Sequence, residues 1–115
     1  MSEQLTPEAR EKLENLQAFQ SKAQQVTVQK RHAEAQLAEN KSALSVLSKA
    51  EKEATLYRHV GNLLVETDSK SAEEDLNQRV EALEVRLQTL NKQSERIQKQ
   101  FETLQKEIQE ILNIS

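Results

Sequence analysis

The chain is expected to be mostly α: a long antiparallel two-helix coiled coil with a single β-hairpin inserted between the helices. Three observations in the sequence point there. Apolar residues recur at alternating spacings of three and four through two long stretches of matched length, the signature of a coiled-coil seam. Glycine and proline occur once each in 115 residues, so almost nothing interrupts a helix. Between the two periodic stretches lies one short β-branched and aromatic run, split by Gly61-Asn62.

The first helix is expected over about residues 7–50. Thr6 can cap it, Pro7 suits the first helical position where its missing N–H costs nothing, and Glu8 suits the positive end of the helix dipole. Its seam runs Leu16, Phe19, Ala23, Val26, Lys30, Ala33, Leu37, Asn40, Leu44 and Leu47. Lys30 and Asn40 break an otherwise apolar ladder. A lysine stem can snorkel out of a half-open two-stranded seam. Asn40 has two readings of equal weight, a device that fixes register or a tolerated polar residue.

The hairpin is expected over about residues 55–67. Two loop residues with glycine first meet the requirement of a type II′ turn. That turn pairs Val60 with Leu63, Arg58 with Val65 and Leu56 with Thr67. One face then carries Leu56, Val60, Leu63 and Val65, the other Tyr57, His59 and Leu64. An isolated two-stranded hairpin is marginal in water, and no other segment of this chain offers strands. Its partners are therefore expected to be other subunits.

The second helix is expected over about residues 71–113, with Ser71 and Glu74 reading as a capping box. Its seam of Leu76, Val80, Leu83, Leu87, Leu90, Ser94, Ile97, Phe101, Leu104, Ile108 and Ile111 departs from apolar only at Ser94. Each helix would be ~60 Å long at 1.5 Å per residue. Because the hairpin reverses the chain, facing seam residues have numbers of constant sum. A sum near 120 sets Phe19 on Phe101 and Leu44 on Leu76. A slip of one heptad gives 127 and sets Val26 on Phe101 and Leu16 on Ile111. The first is preferred, since it brings the start of one helix to the end of the other.

Composition limits function. Charged residues make up 30% of the chain and aromatic residues 3%, too little bulk for a thick core. The formal net charge is −3, with acids and bases mixed along the sequence. That argues against nucleic acid or an anionic membrane as a partner, since both call for clustered Lys and Arg. Lys30-Arg31-His32, the densest basic run, is short and is followed two residues on by Glu34. There is no cysteine, and the two histidines, His32 and His59, lie on different elements, so no metal site or cofactor is expected. With one glycine there is no phosphate-cradling loop. Ser94 reads as a small seam residue and Glu73-Glu74 as a solvated helix start. No catalytic constellation is visible, and no enzyme activity is expected. Without a long apolar run or an opening signal peptide, a cytoplasmic location is expected.

The run Tyr57-Arg58-His59-Val60-Gly61-Asn62-Leu63-Leu64-Val65 resembles the hairpin of the beta-type subunits of the prefoldin family, of pattern Tyr-Lys-x-Val-Gly-x-Leu-Leu-Val. Leu83-Glu84-Val85-Arg86-Leu87 is similar to the start of that family's second coiled-coil helix. The resemblance covers nearly the whole chain as a single domain. It implies a hexamer of two alpha-type and four beta-type subunits whose hairpins, here Leu56, Tyr57, Val60, Gly61, Leu63, Leu64 and Val65, build a shared β-barrel. It further implies an ATP-independent holdase, gripping unfolded client proteins at the coiled-coil tips and passing them to a group II chaperonin. The residues at that open end are Leu5, Leu13, Ile111, Leu112 and Ile114. The competing expectation is a scaffolding coiled coil without clients, which leaves the hairpin's need for foreign strands unanswered.

Overall fold

The computed structural model describes residues 6–114, the last without its side chain. The element order is α1 (Pro7–Lys49), β1 (Leu56–Val60), β2 (Leu63–Thr67) and α2 (Ser69–Ile114). This is the expected class, two long helices joined by one antiparallel hairpin.

Helix α1 starts as its sequence dictates. The Ala9 N–H donates to Thr6 Oγ1 at 3.1 Å, which satisfies one of the donors a helix N-terminus leaves open, and the Arg10 N–H to the Thr6 carbonyl at 2.9 Å is the first regular bond of the helix. Helix α2 starts differently from the expectation. Its cap is Asp68, not Ser71. The Ser71 N–H donates to Asp68 Oδ1 at 2.8 Å, the Ser71 hydroxyl donates to Oδ2 at 3.0 Å, and the Ala72 N–H reaches the Asp68 carbonyl at 3.0 Å. Aspartate accepts with two oxygens and carries the charge the helix dipole favours, so it captures the cap three residues earlier. These bonds hold the Asp68 carboxyl below its ordinary range, the Ser71 backbone N–H being the larger cause and its hydroxyl the next.

The described chain forms two compact units, each containing a segment of both helices. One comprises residues 6–31 and 89–114, the other His32–Gln88. In the first, Ala9, Val26, Leu90, Leu104 and Ile108 are buried, and Leu90 is fully enclosed. In the second, Ala33 is buried, while the rest of the seam is half-buried. Every seam position read from the sequence is buried or half-buried, and most residues between them are exposed. This is a core one side-chain layer thick, as a two-stranded seam dictates.

Neighbours within each unit select the register. Ala43 shares a groove with Ala72, Asp75, Leu76 and Arg79, and Leu44 shares another with Ser69 and Glu73. A sum near 120 puts Ala43 opposite position 77 and Leu44 opposite 76. A sum of 127 would put each a heptad further along α2. At the other unit's end, Lys12 Nζ meets Glu107 Oε2 at 2.6 Å, one position from the partner that a sum of 120 assigns it.

Lys30 is half-buried and falls opposite Leu90 in this register, so its stem can cover Leu90 while its ammonium reaches water. Asn40 donates from Nδ2 to the Gln36 carbonyl of its own helix at 2.7 Å. One of its two amide N–H donors is thus used within α1.

Candidate protein-interaction surfaces

The hairpin positions the first candidate surface. Strand β1 pairs with β2 in the expected register, Leu56 with Thr67, Arg58 with Val65 and Val60 with Leu63. Gly61 has φ of 59°, and among the described residues no other residue has a positive φ, as a II′ turn requires of its first loop position. Nothing lies within 4 Å of where a Gly61 Cβ would be. Glycine is needed here for backbone conformation, not for space.

Among the described residues, the sheet has two strands. Residues flanking a two-residue turn form a hydrogen-bonded pair, and such pairs alternate along an antiparallel ladder. The backbone N–H and C=O groups of Tyr57 and His59 therefore face outward along one edge, and those of Leu64 and Glu66 along the other. Both edges are templates for further strands.

The side chains reinforce this. Leu63 is 66% exposed, Leu64 63% and Tyr57 61%, with Val60 and Val65 close to half. These residues divide between both faces of the ribbon. Single exposed aliphatics such as Val28, Val46 and Val85 on the helices are ordinary. Here Val60, Leu63 and Val65 share one face and Tyr57 and Leu64 the other, so each face carries its own cluster of exposed apolar side chains, and such clusters mark interaction sites. Leu56 and Thr67, at the base, are half-buried.

An electrostatic tie not anticipated from the sequence joins hairpin to helix. Arg58 Nη2 on β1 lies 3.9 Å from Asp75 Oδ1 on α2, while Arg79 Nη2 meets Asp75 Oδ2 at 3.1 Å. The Asp75–Arg79 pair was legible as an i,i+4 spacing. Arg58 was not, because its approach depends on how the hairpin leans. His59 Nδ1 lies 3.2 Å from the Gly61 carbonyl, where the Nδ1–H tautomer donates; it serves the turn.

The second candidate surface is the end of the unit that holds the start of α1 and the end of α2. Leu13 and Ile111 are half-buried there, and Leu112 is 51% exposed. Leu5 and the side chain of Ile114 lie outside the described residues. The Lys12–Glu107 bridge crosses between the helices at this end, and its hydrogen bond holds the Lys12 ammonium charged above its ordinary range.

Among the described residues, no group of three or more His, Cys, Asp or Glu is placed to hold a metal ion, and no helix is long and apolar enough to cross a membrane.

Comparison with known proteins places this architecture. Prefoldin subunit beta of Halobacterium salinarum is 53% identical over 80 residues, which cover 70% of this chain and 64% of that protein. The same subunit of Saccharolobus islandicus is 39% identical over 79 residues, covering 69% and 63%. The matched stretch thus spans just under two thirds of these relatives' own length. Among solved structures, the prefoldin beta subunit from Thermococcus strain KS-1 superposes with a TM-score of 0.85 at 30% identity, covering 95% of this chain and 96% of that one. The beta2 subunit from the same strain shares the fold at 20% identity, with a TM-score of 0.72 over 77% of this chain and 95% of that one. Residues 10–113 match the family described as "Prefoldin subunit", and the chain belongs to that family.

Proposed function

We propose that the chain is the beta-type component of a hetero-oligomeric, ATP-independent chaperone that holds non-native proteins and hands them to a group II chaperonin. The observation that carries this reading is the hairpin: a two-stranded ribbon, open at both edges and apolar on both faces, in a member of the prefoldin family. Each side chain such as Leu63 or Leu64 contributes about 1.5–3 kcal/mol when fully buried. Strands from other subunits would supply that burial and complete the backbone ladder. Alpha-type subunits and further copies of this chain are the proposed source, in the ratio of two to four.

The hairpins would then form the shared platform, which leaves the start of α1 and the end of α2 for a separate task. Client contact is assigned to the start of α1 and the end of α2, to Leu13, Ile111 and Leu112 and, on the sequence alone, to Leu5 and Ile114. A single end binds weakly. Several ends on one platform act at high effective concentration, and avidity supplies the rest. Weak non-directional contacts also let the client go, so no nucleotide, metal or cofactor enters the cycle. A cytoplasmic location, beside chaperonin and nascent chains, belongs to the same proposal.

The test is aggregation of a chemically unfolded protein, followed by light scattering without ATP. The assembled complex is expected to suppress it. The double substitution Leu112→Ser with Ile114→Ser is expected to weaken suppression while oligomer mass and helix content stay unchanged. Equal protection by the variant would remove the C-terminal aliphatics from the grip.

A further inference from the structure

Folding sorts charges that look mixed along the linear sequence. From Asn15 to Arg31, α1 contains no Asp or Glu but carries Lys22, Lys30 and Arg31. From Thr89 to Phe101, α2 carries Lys92, Arg96 and Lys99 against one carboxylate, Glu95. These two stretches belong to the same compact unit and lie opposite one another in the observed register. They form a basic band in a chain whose formal net charge is −3.

An open groove runs through this band on one flank of the seam. Its first part has a volume of about 360 Å³. Val26 and Ile97 form the floor, and Lys22, Gln29, Gln93 and Arg96 are among its walls. A second part of about 280 Å³ adjoins it at Gln100 and continues past Phe19, Lys99 and Leu104.

Lys22, Gln29, Gln93 and Gln100 each stand one residue before a seam position. In two-stranded coils such flanking positions commonly hold Glu and Lys, which pair across and close the flank. Here three of the four are glutamine. Among the described residues no carboxylate pairs with Lys22, Arg96 or Lys99. Lys22 instead stands 5.6 Å from the centroid of the Phe19 ring. Among the described residues, the bridge that closes this flank is Lys12–Glu107, whose carboxylate, already paired with Lys12, ends the second part of the groove.

We propose that this groove binds an extended acidic peptide segment whose carboxylates alternate with apolar side chains. The apolar floor would take the inward side chains, and Lys22, Arg96 and Lys99 the carboxylates. The glutamine amides, each both donor and acceptor, would bond the main chain. From Phe19 to Gln29 the helix rises ~15 Å, the span of roughly four or five extended residues. Nucleic acid fits less well. The one aromatic ring in the groove is half-buried with a lysine beside it, which leaves no platform for stacked bases, and an apolar floor is wasted on a phosphate backbone. The site is distinct from the helix ends assigned to client capture and does not depend on that assignment.

The test uses the assembled full-length protein and fluorescence anisotropy of a labelled peptide alternating Glu and Leu. Binding is expected, weakening as salt is raised. The pair Lys22→Gln with Arg96→Gln is expected to weaken it about tenfold, the scale of two charge-assisted hydrogen bonds at an exposed site, with the circular dichroism unchanged. Leu112→Ser is expected to leave it unchanged. Equal binding by the Lys22/Arg96 variant, or of a peptide alternating Lys and Leu, overturns the proposal. So does an oligonucleotide that displaces the peptide and is itself weakened by the same two substitutions, since the groove would then serve nucleic acid. Failure of the aggregation assay, by contrast, would leave these peptide measurements standing.

Discussion

Asp68 and Thr6 do the same work at the starts of the two helices, but only Asp68 does it with a titrating group. Its carboxylate accepts from the Ser71 backbone and hydroxyl, so its pKa in the folded chain lies below the ordinary 3.8. A depressed carboxyl contributes stability that is fully present above the unfolded value and is lost as pH falls through the folded one. The first turn of α2 is therefore expected to fray in acid below about pH 4, seen as lost amide protection at Ser71 and Ala72. Asp68→Asn keeps an accepting oxygen and is expected to remove that acid step, whereas Asp68→Ala is expected to fray the turn at neutral pH. Thr6→Ala is expected to cost about 1 kcal/mol of helix stability with no pH dependence. An acid transition that survives in Asp68→Asn would assign it to another group.

The elements differ in how far the sequence reveals them. Seam positions were readable because period alone decides which side of a helix is covered, and Leu90, Leu104 and Ile108 are buried where that period puts them. The hairpin was readable because Gly61-Asn62 is a two-residue loop with glycine first, and that loop length fixes the register. The cap was misplaced because Ser71 and Asp68 both satisfy local cap chemistry, and charge decides between them only once the helix is formed. The open flank at Gln93 and Gln100 was invisible, since it needs the register of two distant segments. Two substitutions test the elements separately. Leu90→Ala removes the one fully enclosed leucine side chain among the described residues and is expected to cost about 2–5 kcal/mol in thermal or denaturant unfolding. Gly61→Ala meets no neighbour but forces a β-carbon to positive φ, costing roughly 1–2 kcal/mol. That loss is expected in the hairpin and its assembly, with the helical signal hardly changed.

At the scale of the whole molecule, the fold separates two tasks that a globular protein would merge. The helices stabilise themselves by burying a seam against each other, and the hairpin leaves its apolar faces and both edges open. A scaffolding coiled coil needs the seam alone. A subunit of an assembly needs both, and the two should fail independently. Leu63→Asp places a charge on a hairpin face that is exposed in the isolated chain, so the substitution should be harmless there. In an assembly whose strands cover that face, the same charge is buried without a partner, which costs more than the lost apolar contact alone. Val65→Asp acts on the same face at the neighbouring hydrogen-bonded pair, next to Arg58 across the strands, so part of its charge is compensated. Mass measured by light scattering, with alpha-type partner present, is therefore expected to fall to that of small species for Leu63→Asp and to fall less for Val65→Asp. Circular dichroism should show the helices intact in both. An unchanged mass for Leu63→Asp would mean that foreign strands do not cover this face, and the ribbon would then need some other way to shield Leu63, Leu64 and Tyr57 from water.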